Sequence, residues 1–126
     1  MSIEDYFQQI RELIEASQIV FSFNINAEKK GLYKGFIRGD IYFNDGSLLH
    51  LREFVNVETS IERGKYAYQY MDATKTLVFR YDNAEHHQRL NLSNFPHHKH
   101  EESEDNIVSS STPTLAEILQ EIEGLL

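Results

Sequence analysis

The chain has 126 residues, no cysteine, 40% hydrophobic residues and a formal net charge of -8. A chain of this length forms one domain that hides roughly two thirds of its unfolded surface, and the lack of thiols excludes a disulfide scaffold, thiol catalysis, thiolate zinc sites and iron–sulfur clusters. No apolar run approaches the ~18 residues of a membrane span, and Met1-Ser2-Ile3-Glu4-Asp5 lacks the basic start of a secretory signal, so a soluble, cytoplasmic protein with no membrane partner is expected.

Ile3, Phe7, Ile10, Leu13 and Ile14 recur at helical spacing behind Ser2 and Asp5, which are spaced for mutual capping, and predict an amphipathic helix over 3–17. The period then changes to two. Strands are predicted over 19–27 and 34–43, followed by Asn44-Asp45-Gly46-Ser47, a hairpin signal because Asp-Gly supplies the positive φ of a tight turn. A third strand over 48–57 pairs back, Tyr66, Tyr68 and Tyr70 alternate on a fourth, and a fifth runs over 76–81 after the turn at Asp72-Ala73-Thr74-Lys75. Alternating tyrosines read as a core layer more readily than as a stacking platform, and Gly31, Gly35 and Gly39 read as places where the chain bends. The closing helix carries Leu115, Ile118, Leu119 and Ile122 behind a Thr114/Glu117 capping box.

Strands in sequence without helical crossovers give an α+β fold: an antiparallel five- to six-stranded meander with the two terminal helices packed on it. The whole chain, 1–126, forms that single domain. Residues 82–113 are polar and histidine-rich; the segment is expected to be ordered through His100 and a flexible loop over 101–112, with Ile107-Val108 as a short edge strand.

Charge is segregated along the chain. Between Lys29 and His100 eleven basic residues meet eight acids, and all six histidines lie there; the flanks hold twelve acids against Arg11 alone. The acidity is peripheral, and the weakly basic centre is the part suited to a polyanion.

Five of the six histidines fall between His86 and His100, in the stretches Arg80-Tyr81-Asp82-Asn83-Ala84-Glu85-His86-His87 and Phe95-Pro96-His97-His98-Lys99-His100. Metal-independent RNA cleavage needs one imidazole to take the 2′-hydroxyl proton and another to give one to the leaving 5′-oxygen, with fixed cations at the phosphate. His86, His87, His97 and His98 are the candidate acids and bases; Arg80, Tyr81, Lys99 and His100 are candidates to hold phosphate or RNA, and Asp82 and Glu85 to orient an imidazole. No cofactor is needed for that chemistry. The alternative is a zinc site at His86, His87, His98 and His100, with Asp82 or Glu85 able to complete the shell, although no recognised zinc spacing is present. A non-catalytic binding protein using the same loop is the third reading. His50, alternating with Arg52, reads as a surface or structural residue.

The stretch Leu77-Val78-Phe79-Arg80-Tyr81-Asp82-Asn83-Ala84-Glu85-His86-His87, the later Phe95-Pro96-His97-His98-Lys99-His100 and the closing helix together resemble the TumE family of prokaryotic toxins. Glu85 stands where that pattern leads one to expect proline. The resemblance implies a small cytoplasmic toxin of a type II toxin–antitoxin pair, neutralised by a cognate protein antitoxin, and RNA is the target expected from the residues above.

Overall fold

A computed structural model describes residues 1–83, 98–101, 107–109 and 113–126. The elements follow in the order α1 (Ile3–Ala16), β1 (Val20–Lys29), β2 (Lys34–Phe43), β3 (Leu48–Asn56), β4 (Glu62–Met71), β5 (Leu77–Asp82), β6 (His98–Glu101), β7 (Ile107–Ser109) and α2 (Leu115–Leu125). Both helices begin where the sequence offers a reciprocal cap: Ser2 with Asp5, and Thr114 with Glu117. Each cap satisfies backbone N–H groups that the helix cannot, worth about 1 kcal/mol apiece.

The strands form one sheet in chain order, antiparallel throughout, so the fold is the α+β meander expected from the period-two segments. Among the described residues the sheet has seven strands. The additional one is β6, His-Lys-His-Glu, a polar run with no strand-like alternation that pairs with β5 and in turn carries β7. Ile107 and Val108 do lie on an edge strand; residues 102–106 and 110–112 of the expected loop lie outside the described residues.

Alternation divides the sheet. Ile37, Ile41, Leu49, Leu51, Tyr66, Tyr68, Tyr70 and Phe79 are buried together with Ile3, Ile10 and Ile14 of α1 and Ile118 and Ile122 of α2. The tyrosine stripe is therefore core. Two glycines set how closely layers and strands approach. A Cβ at Gly35 would meet Phe7 and Ile3 of α1 at 2.5 and 2.7 Å, and one at Gly39 would meet the Asn24 carbonyl of β1 at 2.1 Å. At the β2–β3 hairpin Gly46 has φ +86°, as the Asp-Gly pair predicts.

A bulge on β4 has the largest consequence for side-chain placement. Phe54 pairs with Lys65 but Val55 pairs with Arg63, leaving Gly64 as the extra residue. The inserted residue reverses the alternation, so Arg63 shares the helix-covered face with Tyr66 and Tyr68.

Candidate functional site

The β5–β6 pairing gathers residues from both histidine stretches. Asp82 lies opposite His98, Tyr81 opposite Lys99, and Arg80 opposite His100. Arg80 and Asp82, two apart on one strand, share a face, and Arg80 Nε lies 2.9 Å from Asp82 Oδ2. The aspartate is buried and the arginine partly so, a setting in which the charge pair holds the guanidinium in place more strongly than it would in water. Tyr81 belongs to the other face, where its hydroxyl donates to Glu121 of α2 at 2.7 Å and its ring meets Phe79 edge-on. The expected acid, base and orienting residues His86, His87, His97 and Glu85 lie outside the described residues, and so do two of the four expected zinc ligands.

On the face turned from the helices, register builds continuous rows across the sheet. One runs Arg38, Arg52, Ala67, Asp82 and on to position 98; the next runs Asp40, His50, Gln69, Arg80 and on to position 100. A third carries Phe36, Phe54 and Lys65. Where these rows pass over β3 to β5 they enclose a hollow of about 550 Å³, lined among others by Phe36, Arg52, Phe54, Lys65, Ala67 and Arg80. The side chain of Asn83 closes its β4 border: it accepts from Tyr66 N–H and donates to the Gly64 carbonyl, each at 3.0 Å, replacing ladder bonds next to the bulge. His50 is a half-exposed surface residue with Nδ1 2.6 Å from Asp40.

A second polar constellation lies within the core. Glu53, 1% exposed, accepts hydrogen bonds from Tyr6 of α1 through Oε1 and from Tyr68 of β4 through Oε2, the latter at 2.5 Å. Arg63 donates to the Tyr68 oxygen at 2.8 Å and to the Pro113 carbonyl just before α2, and its guanidinium lies 5.3 Å from the Tyr66 ring centre. Burial, and then the adjacent Glu53 charge, push both phenols well above the ordinary tyrosine range. Burial pulls the Arg63 pKa down, but Tyr68 and Glu53 outweigh it and hold the guanidinium charged. The network joins α1, β3, β4 and the start of α2, and its full satisfaction marks it as architecture. Glu53 was absent from the sequence-based candidates. Its signal was an acid in the apolar alternation Leu49, Leu51, Glu53, Val55.

No helix among the described residues is long and apolar enough to cross a membrane. The family described as Toxin TumE matches residues 10–126, nearly the whole chain. Comparison with curated proteins and with solved structures gave no match.

Proposed function

The chain belongs to the TumE toxin family, and from that premise we propose that it acts on RNA, cleaving it through its histidine cluster. As a toxin of a type II pair it has a cognate protein antitoxin for a partner. The observation that carries the RNA reading is the β5–β6 register, which sets His98 beside Asp82 and His100 beside Arg80. Residues thus brought together from two separate stretches are of the kinds that phosphodiester cleavage uses, an imidazole and a fixed cation.

In this reading one of His86, His87, His97 and His98 removes the 2′-hydroxyl proton. The 2′-oxygen forms a bond to phosphorus, the bond to the 5′-oxygen breaks, and a second, protonated histidine delivers a proton to that leaving oxygen. A 2′,3′-cyclic phosphate and a 5′-hydroxyl result. Arg80, held by Asp82, together with His100 meets the charge that gathers on the phosphoryl oxygens, whereas Lys99, in register with Tyr81, falls on the other side of the strand alternation. Glu85 is assigned to orienting an imidazole, and Tyr81 to fastening α2 through Glu121.

The experiment is cleavage of single-stranded RNA in the presence of chelator, with product ends identified. The expected result is a cyclic-phosphate end, a pH optimum near neutrality, and loss of about a hundredfold or more in rate for His97→Ala with His98→Ala while the thermal melt is unchanged. Undiminished growth inhibition by that double variant removes the cluster from the mechanism.

A further inference from the structure

The cations on the face turned from the helices are placed in a way that folding alone does not reward. Arg38 and Arg52 are direct cross-strand partners on β2 and β3, and like charges directly opposite one another oppose pairing. Among the described residues, Arg38, Arg52 and Lys65 make no ion pair. Three acids on the same face have other ion-pair partners, Asp40 with His50, Asp82 with Arg80 and Glu28 with Lys30, although the Glu28 carboxylate also feels the Arg38 charge.

Aromatic rings accompany these cations. Phe54 is 37% exposed and lies opposite both Phe36 and Lys65. Ala67, between Arg52 and Asp82 in register, contributes only a methyl group to the middle of the hollow. The volume, about 550 Å³, falls within the roughly 300–1,000 Å³ of small-ligand sites. Unpaired cations beside accessible ring faces are what a single-stranded nucleic acid requires, the former for phosphate and the latter for a base. An acidic protein segment would use the cations but would leave the rings and the adjoining histidine strand without a role.

We propose that this hollow is a nucleotide subsite for the RNA that the toxin engages, with a base against Phe54 and the flanking phosphate between Arg52 and Lys65. The inference rests on the RNA reading and adds to it a binding track. The same row that holds Arg52 and Ala67 continues through Asp82 to His98, so a strand seated there leads onto the β5–β6 register.

The test is fluorescence anisotropy of the full chain with a labelled 2′-O-methyl oligouridylate, which cannot be cleaved through its 2′-oxygen. At ~50 mM salt, Arg52→Ala with Lys65→Ala is expected to weaken binding about tenfold or more and to reduce the salt slope by about 0.7, the value for the one phosphate held between them. Ala67→Leu, which fills the hollow without removing charge, is expected to weaken binding and leave the slope unchanged. Circular dichroism checks that the variants are folded. Wild-type affinity in all of these variants overturns the subsite while leaving RNA as the target. Absence of both binding and cleavage by the wild-type chain overturns the subsite and the RNA reading together. Variants that keep RNA but lose the antitoxin assign the face to the protein partner and overturn the proposal.

Discussion

Glu53 and Arg52 are neighbours in sequence and point to opposite faces of β3, and their surroundings differ completely. Glu53 is sealed in the core and bonded by two phenols, one of which also receives a hydrogen bond from Arg63. Arg52 is exposed, faces another arginine across the strand pair and borders a hollow. A buried charge persists only when its partners are complete, because desolvation costs several kcal/mol per ion. An exposed cation is under no such constraint and remains open to a ligand. The helix-covered network thus holds the layers together, whereas the opposite face places charge where the fold gains nothing from it.

Glu53→Ala tests this contrast most severely. It leaves Tyr6 and Tyr68 without their common acceptor and Arg63 without the nearby carboxylate, so a loss of about 3–5 kcal/mol is expected in urea unfolding. Arg52→Ala should stay within about 0.5 kcal/mol of the wild-type chain. Equal losses in the two variants would end the distinction between an architectural face and a ligand-binding one.

Alkaline pH probes the same network more gently. Burial and the Glu53 charge raise the Tyr6 and Tyr68 pKa values in the folded chain, while in the unfolded chain the phenols ionise near pH 10. Above about pH 10 the unfolded state has therefore lost protons that the folded state keeps, and stability must fall as pH rises. The stabilisation is complete below that pH, and the slope reaches up to about 1.4 kcal/mol per pH unit for each phenol. Urea unfolding between about pH 9 and 11 should show this fall, and Tyr6→Phe or Tyr68→Phe should each flatten it. A fall unaltered by both substitutions would place the titrating groups elsewhere.

What was legible in the sequence follows the same division. Helix ends were readable because Ser2 with Asp5 and Thr114 with Glu117 are local signals, and the strands because apolar and aromatic residues alternate between turn-forming residues such as Asp45-Gly46. β6 was not, because His98-Lys99-His100-Glu101 carries no alternation and is a strand only through its pairing with β5. Arg63 was misleading in a different way: strict alternation from Tyr66 and Tyr68 puts it on the outer face, and only the bulge at Gly64 turns it inward. The histidine cluster drew attention by composition. The row Arg38, Arg52, Ala67, Asp82 exists only after three hairpins bring its members into register, so no spacing along the chain announces it.

The smallest effect gives the sharpest comparison, because its two readouts have opposite signs. Arg38→Gln removes one member of the like-charged cross-strand pair and leaves a side chain of similar reach on an exposed position. If the pair serves a ligand and not the fold, the variant should be more stable than the wild-type chain by a few tenths of a kcal/mol, since like charges opposite one another oppose pairing. The gain should shrink as salt screens the repulsion. RNA affinity should fall by about twofold to fivefold at low salt through the loss of one nearby cation. Matched urea titrations and anisotropy curves at low and high salt measure both. A variant that loses stability, or gains it without losing affinity, would show that Arg38 has been placed by packing, and would leave Arg52 and Lys65 as the cations of the track.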